Sequence, residues 1–167
     1  MLSILSQIEM ALPALLQDEA AWHGLFADSE QPHLHRLWRQ WGEYRISLHH
    51  FSECCEGQEF WHPHPWKMAV RVLKGRYEHR VGFVCETGEN IEVARSIMEP
   101  GSCYEMVSPR GAHAILPIDN DVWSVMVSGP VVWNKNRRVG NTPSRELNEQ
   151  ERREMFTVFR TYFPLPA

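Results

Sequence analysis

The chain has 167 residues, a formal net charge of −4 at pH 7 and 43% hydrophobic residues. This size and composition are typical of one globular domain that buries a core. The acidic balance and the lack of a long lysine or arginine run argue against a nucleic-acid-binding protein.

The most apolar N-terminal stretch, residues 4–16, contains Gln7, Glu9 and Pro13. It is therefore too short and too polar to cross a bilayer. Because no basic region precedes it, we do not interpret it as a signal peptide, and we expect a cytoplasmic protein with no membrane partner. None of the four cysteines has C-x-x-C spacing, so we expect reduced thiols.

Residues 1–42 carry a helical pattern, with apolar side chains at three- and four-residue spacing from the start of the chain. We expect a second helix over 13–26, a loop over 27–32 and a further helix over 33–41 that ends at Gly42. The sequence therefore predicts an N-terminal helical segment packed on the outside of a β unit.

From Glu43 onward the apolar period changes to two, which is the pattern of half-buried strands. The predicted strands cover residues 44–49, 67–73, 77–85, 91–98, 104–107, 113–117 and 122–128, with an eighth over 131–133. Turns with glycine or proline separate them, and residues 99–102 have the Pro-Gly order of a type II turn. Short strands at regular spacing indicate a β-sandwich or a double-sheet barrel.

The C-terminal region predicts one helix. Asn148 and Glu151 have the spacing of a capping box, an apolar stripe comes after them, and Pro164 stops the helix. We expect a single domain in three segments, namely the helical segment 1–42, the β-barrel 43–134, and a loop with the C-terminal helix over 135–167.

The segment Trp61-His62-Pro63-His64-Pro65-Trp66 carries two histidines at positions i and i+2. On a strand these positions point to one face, so the two imidazoles lie near enough to share a metal ion. An H-x-H pair alone is a weak signal. Here Gly75 comes thirteen residues after His62, and Pro100-Gly101 and Pro109-Arg110-Gly111-Ala112-His113 come later.

This order resembles the two motifs of the cupin superfamily. The first motif has His-x-His, an acidic residue and a glycine, and the second has a glycine, Pro-x-Gly and a histidine. Gly101, Pro109, Gly111 and His113 correspond to the second motif. The resemblance covers residues 44–130, and it implies a mainly β fold, the double-stranded β-helix or cupin jelly-roll barrel. It also implies a metal site formed by His62, His64 and His113.

One position departs from the cupin pattern, because Met68 stands where the acidic ligand is usual. A neutral three-histidine set leaves a divalent ion its full charge and several open coordination positions. A three-histidine site without the acid is similar to that of thiol dioxygenases such as cysteine dioxygenase. This favours Fe(II), with Zn or Ni as alternatives. The catalytic His and Tyr of that family correspond to positions near Met126 and Ser128, so these two roles are not carried over.

Several other side chains are candidates for the site. The predicted substrate pocket consists of Arg71, Tyr77, Tyr104, Trp66 and Trp123. Arg71 either clamps a carboxylate or phosphate bidentately or faces solvent on the outer sheet.

The remaining histidines have other expected places. His33 and His35 are expected on a helix surface, where positions i and i+2 face apart. His49 and His50 are adjacent on a strand, so they cannot both face inward.

Three functions stay open from the sequence. The first is a non-haem Fe(II) dioxygenase acting on a small thiol or carboxylated substrate. The second is a non-catalytic cupin that binds a small molecule, with the metal as anchor or structural clamp. The third is a metal-assisted isomerase, hydrolase or lyase, which needs a general base such as Glu105 or Tyr77. A homodimer is also expected, with a sheet edge or the terminal helices as the interface.

Overall fold

The computed structural model describes residues 1–27, 31–52, 54–108, 110–131 and 144–166. Pro109 of the second motif and residues 132–133 of the expected eighth strand lie outside the described residues. So does the first part of the segment expected to begin at residue 135.

The described residues form two α-helices and eleven strands, with a single 3-10 turn at Glu19–Ala21. In chain order these are α1 (Leu2–Leu15), β1 (His23–Ala27), β2 (Leu34–Trp41), β3 (Tyr44–Phe51), β4 (His62–Pro63), β5 (Met68–Lys74), β6 (Tyr77–Val84), β7 (Asn90–Met98), β8 (Cys103–Met106), β9 (Gly111–Pro117), β10 (Val122–Ser128), β11 (Ser144–Arg145) and α2 (Glu149–Tyr162).

The strands form two antiparallel sheets. The first sheet has the order β11-β1-β2-β3-β10-β5-β8, and the second has the order β4-β9-β6-β7. Between β3 and β10 the chain passes repeatedly from one sheet to the other. The fold is mainly β, and the two sheets do not join into one closed barrel within the described residues.

The N-terminal prediction needs a correction, because the helices expected over 13–26 and 33–41 are wrong. Helix α1 ends at Leu15, and the chain then enters β1 and β2. β2 pairs with β3 along its whole length, and Gly42, with a φ of +59°, lies in the hairpin turn between them.

The physical reason for this error is that both faces of β2 carry apolar side chains that are at least partly buried. Leu37 lies in the core against the helices, whereas Leu34 faces the other sheet. A strand covered on both sides does not alternate strictly between apolar and polar residues, so its spacing imitated a helix. Residues 1–42 are therefore not one helical layer, since their second half extends the first sheet.

The largest core lies between the two helices and the outer face of the first sheet. It contains Leu5, Ile8, Leu12, Leu37, Ile46, Leu48, Val125, Val127, Met155, Phe156 and Phe159. All seven residues of β10 are buried, because the helices cover one face of the strand and the second sheet covers the other. The inner face of β10 is therefore available to a site that water reaches poorly.

Three local predictions are confirmed. The Asn148 side chain accepts a hydrogen bond from the Glu151 backbone N–H at 2.9 Å, and the Glu151 carboxylate accepts one from the Asn148 N–H. In the turn 99–102 the Ser102 N–H donates to the Glu99 carbonyl at 2.8 Å, and Gly101 has a φ of +93°. The four cysteines are free thiols.

Within the described residues, neither helix has the length and apolar character that a membrane crossing requires.

Gly82 is required by the close approach of β6 and β7, whose register shifts between Val81 and Gly82. A Cβ at Gly82 would lie 2.0 Å from the Ile91 carbonyl oxygen. We expect Gly82→Ala to lower the free energy of unfolding by about 1–3 kcal/mol, as overpacking does. Urea denaturation measures this change. At Gly129 the nearest atom to an added Cβ is 3.6 Å away, so Gly129→Ala is the control, and equal losses in both variants would contradict the prediction.

Candidate metal centre

The pairing of β4 with β9 brings the three predicted histidines together. His62 on β4 lies directly opposite His113 on β9, and His64 lies one residue after the end of β4. Their ligand nitrogens all lie within 4.8 Å of one another, and they form a group that could hold a divalent metal ion. No other such group of three occurs in the part of the chain that the structure describes.

Hydrogen bonds orient these imidazole rings. The His62 Nδ1–H donates to the Phe60 carbonyl at 3.2 Å, which leaves Nε2 of His62 free to bind a metal. Nδ1 of His113 lies 2.9 Å from Nε2 of His79, so Nε2 of His113 is the free atom. That atom is 2.9 Å from Nε2 of His64. Such a separation suits either a hydrogen bond or two ligands of one ion.

Burial keeps these histidines neutral at pH 7. Burial lowers the pKa of His62 to about 4 and that of His79 to about 4. The pKa values of His64 and His113 are held well below 6.5, mainly by burial and further by neighbouring histidines. A neutral imidazole is the form that binds metal, so no proton has to leave before binding.

The three histidines open on a cavity of about 70 Å³ between the two sheets. A water molecule needs roughly 10–15 Å³ of such space, so the cavity has room for a small ligand only. Besides the three histidines, its wall consists of Leu34, Arg36, His49, Phe51, Met68, Val70, Tyr104, Ile115, Ser124 and Met126.

The wall contains no carboxylate among the described residues. Met68, at the position where the resemblance described above places an acidic ligand, is fully buried there. Glu78 lies elsewhere, paired with Arg80 at 2.5 Å and with Arg95 at 3.2 Å. The candidate ligand set is therefore three imidazoles without an acid.

Three of the predicted pocket residues lie in or near the cavity. Tyr104 is part of its wall, and Tyr77 lies fully buried behind it, with the two hydroxyl oxygens 3.2 Å apart. The Trp66 ring lies 5.7 Å from the His64 ring. Trp66 also lines a second cavity of about 190 Å³, where the Arg45 guanidinium lies 4.8 Å from its ring centroid.

Arg71 and Trp123 do not line the cavity, which corrects the sequence-based assignment. Arg71 forms an ion pair with Glu9 of α1. Trp123 packs against Phe159 of α2 and stacks on His50. Side chains alternate along a strand, so the neighbours of these two residues on β5 and β10 face the cavity instead.

The first sheet also determines where the remaining candidate side chains lie. His35 lies on β2, not on a helix, with its Nε2 atom 3.7 Å from the Glu151 carboxylate. His49 faces the cavity, whereas His50 faces outward and lies 3.0 Å from Asp121. Glu105 binds the N-terminal amine at 2.9 Å, so it is not a base at the candidate centre.

Sequence reasoning missed Arg36 and the supporting role of His79. Arg36 could not be assigned to the cavity because its segment has the spacing of a helix. His79 lies beyond Gly75 in the sequence, outside the segment that resembles the first motif. It is nevertheless two residues after Tyr77 on β6, and it contacts His113 directly. Positions i and i+2 on a strand share a face, so the prediction that Tyr77 faces the pocket could also have placed His79 there.

No protein-family model and no curated protein matches this chain. Hydroxypropylphosphonic acid epoxidase from S. wedmorenis matches with a TM-score of 0.46 and 10% identity, over 57% of this chain and 50% of that chain. HppE in its Fe(II) form gives a TM-score of 0.47 and 10% identity over the same shares. A protein from Neisseria meningitidis gives 0.41 and 13%, over 56% of this chain and 81% of that chain.

The chain thus spans about half the length of the epoxidase that it matches. All three TM-scores are below 0.5 and the identities are 10–13%, which is too little similarity to assign a fold or a function. The interpretation of the site therefore depends on its own geometry.

His79 is expected to orient His113. We expect His79→Ala to weaken metal affinity about 10- to 100-fold, as loss of a hydrogen bond to a metal ligand does, while His113→Ala abolishes stoichiometric binding. Competition with a chromophoric chelator measures the affinity. His23 is exposed and stacks on Trp38 away from the cavity, so His23→Ala serves as the control. Equal affinities in the His79→Ala and His23→Ala variants would contradict this role.

The buried histidines also predict that the metal-free protein is less stable in acid. Histidine has an ordinary pKa of 6.5, whereas burial holds the pKa of His62 and of His79 at about 4. Between these values the unfolded chain binds protons that the folded chain does not, so the free energy of unfolding falls as the pH falls. The expected slope is about 1.4 kcal/mol per pH unit for each such histidine. Urea titrations at several pH values across this window test it, and a flat profile would contradict it.

Proposed function

We propose that this protein is a metal-binding cupin whose three-histidine centre holds Fe(II) and serves as a non-haem dioxygenase on a small thiol or carboxylated substrate. The observation that carries the proposal is a set of three neutral imidazoles, without a carboxylate, that opens on a small cavity. Such a set leaves a divalent ion its full charge and several positions for other ligands.

The strand order supports the finer fold assignment within this proposal. Strands β3 to β10 are arranged as β3-β10-β5-β8 in one sheet and β4-β9-β6-β7 in the other. Two antiparallel four-stranded sheets connected in this way correspond to the eight strands of a double-sheet jelly roll. We interpret β1, β2 and β11 as an extension of the first of these sheets.

The resemblance to thiol dioxygenases favours Fe(II) as the metal, with Zn or Ni as alternatives. Imidazole nitrogens bind each of these ions.

When bound, Fe(II) would supply a Lewis-acidic centre with open positions for dioxygen and substrate side by side. The protein's own residues do the rest. Met68, Val70 and Met126 make an apolar wall that limits water in the cavity. The imidazoles of the wall are neutral, so Arg36 is the one charged side chain among the described residues that line the cavity. This supports a carboxylated substrate.

A non-catalytic cupin with an anchoring metal is the alternative. The resemblance to thiol dioxygenases would place a catalytic His and Tyr near Met126 and Ser128. Met126 is instead an apolar wall residue, and Ser128 lines the second cavity. The absence of these two catalytic side chains favours the alternative. A metal-assisted isomerase, hydrolase or lyase has less support. Glu105 is bound to the N-terminal amine, and burial raises the pKa of Tyr77 well above 10, so neither is a base.

The proposed activity predicts oxygen consumption that depends on iron. Protein reconstituted anaerobically with Fe(II) should take up dioxygen with small thiols or thiol carboxylates as substrates, and the His62→Ala variant should take up none. An oxygen electrode measures the rate, and elemental analysis of untagged protein measures the bound metal. Stoichiometric iron with no uptake for any of these thiols would favour the non-catalytic alternative, and a different resident metal would contradict the dioxygenase.

The expected homodimer and cytoplasmic location stay predictions, as does the absence of a nucleic-acid or membrane partner.

A further inference from the structure

The second cavity lies on the same inner face of the first sheet as the metal centre. Arg45, which lines it, is four residues before His49 on β3, so the two side chains share one face. Trp66 also lines it and packs against the cluster that contains Met68 and Met126, two wall residues of the first cavity. A layer of side chains therefore separates two distinct cavities, and the function proposed above uses only the first.

One side of the second cavity is polar and the other is apolar. Gln40 on β2 lies directly opposite Arg45 on β3, and Arg45 lies directly opposite Ser128 on β10. Directly paired residues point to the same face of a sheet, and all three line the cavity. Apart from the acidic Glu43, the rest of the wall among the described residues consists of Trp66, Gly129, Pro130 and Val131. The volume of about 190 Å³ gives room for a molecule of several heavy atoms, since one water needs roughly 10–15 Å³ of such space.

Arg45 is the residue of this wall that lacks a partner. Its Nε atom is buried without a hydrogen-bond partner, and the guanidinium forms no hydrogen bond or ion pair with the described residues. Every other described arginine that is not exposed donates at least one hydrogen bond. These arginines are Arg36, Arg39, Arg71, Arg80, Arg152 and Arg160. Arg45 therefore holds a partly buried positive charge that the fold itself does not neutralise.

Aromatic stacking fixes the position of this charge. The Arg45 guanidinium lies 4.8 Å from the Trp66 ring centroid and 5.8 Å from the Trp38 ring centroid. Stacking occupies the face of a guanidinium and leaves the N–H groups at its edge for a ligand. Burial lowers the pKa of Arg45, which reflects the cost of holding the charge away from water. A guanidinium has donors only, so the partner that would relieve this cost is an anion.

Glu43 is the one acid among the described residues that line this cavity. It is exposed in the turn between β2 and β3 and forms no ion pair with Arg45. Because water and salt screen an exposed carboxylate, Glu43 opposes an anion at Arg45 only slightly. Its presence gives the site a test of sign, since neutralising Glu43 should strengthen the binding of an anion and weaken the binding of a cation.

We propose that the second cavity is a separate binding site for a small organic carboxylate with a short apolar body. The carboxylate accepts hydrogen bonds from the Arg45 guanidinium and from the Ser128 hydroxyl. The apolar body lies against Trp66, Pro130 and Val131. The site goes beyond the proposed function, because it needs no metal and its ligand does not reach the three histidines.

The test uses butyrate as the probe and the full-length, metal-free protein. Heteronuclear NMR resolves the indole N–H signals, and the loss of one signal in Trp66→Phe identifies that of Trp66. Butyrate should shift the Trp66 signal and saturate at millimolar concentrations, whereas the uncharged isostere butyramide should not shift it. The signals of Trp22 and Trp123 should stay in place, because both indoles lie in the core between the helices and the first sheet.

Removing the charge of Arg45 should remove most of the affinity. Arg45→Met keeps an apolar stem, and we expect at least about a tenfold loss of butyrate affinity, as for lost hydrogen bonds between charged groups. Arg39→Met is the matched control. Arg39 also lies over an indole ring, that of Trp22 at 5.6 Å, but it is next to Gln40 on β2 and so faces the other side of the sheet. Its loss should leave butyrate affinity unchanged.

Two further variants locate the ligand and establish its charge. Arg36 lines the first cavity and not the second, so Arg36→Met should leave butyrate affinity unchanged. Glu43→Gln should raise butyrate affinity about twofold, as the loss of a screened like charge does. Circular dichroism melting verifies that each variant is folded, and the titration of the wild type decides the question even if Arg45→Met does not fold.

Three kinds of result would overturn this site. The first is a Trp66 signal that does not move with butyrate, or that moves equally with butyramide. The second is equal butyrate affinity in folded Arg45→Met and wild type, or a loss in Arg36→Met instead, which would place the ligand in the first cavity. The third concerns the ligand class, and it is sulfate binding as tight as that of butyrate, or weaker butyrate binding in Glu43→Gln. Failure of the proposed function is distinguishable from all of these, because they are measured without metal or oxygen.

Discussion

The pairing of β4 with β9 is the contact on which the rest of the site depends. It is only two residues long, yet it sets His62 against His113 and directs His64 to the same point. Burying three neutral imidazoles this close together is favourable when they share hydrogen bonds or a metal ion. The strands around the cavity then determine which ligands it can bind.

The first sheet supplies much of the cavity wall, and this wall is shielded from water because the sheet is covered on both sides. The helices protect the outer face of β3 and β10, so their inner face can carry Ser124 and His49 among apolar neighbours without exposure to water. In such a setting each hydrogen bond to a bound ligand is stronger than it would be in water, since few water molecules compete for the polar group. Because Met68 is neutral and no carboxylate lies in the wall among the described residues, the centre has no negative charge to offset that of a bound ion.

The second sheet supplies support that is chemically unusual for a metal site. His113 is oriented by another imidazole, His79, which itself lies against the Tyr104 ring at 4.0 Å. A carboxylate or a carbonyl is the more common partner for a ligating histidine. A neutral partner adds no negative charge, so it raises the basicity of His113 less than a carboxylate would, and it offsets less of the positive charge of a bound ion.

The sequence by itself determined the local features, because these depend on neighbours along the chain. The H-x-H pair, the turn at 99–102, the capping box of α2 and the strands from Tyr44 onward result from short-range spacing and turn chemistry. Only the tertiary structure decided the rest. β2 looked helical because both of its faces carry apolar side chains that are at least partly covered, and that cover comes from elements far away in the chain. The same strand pairing places Arg36 beside His49 in the cavity wall, whereas Arg71 and Trp123 face the helices. No local sequence pattern determines which face of a strand that is covered on both sides meets the cavity.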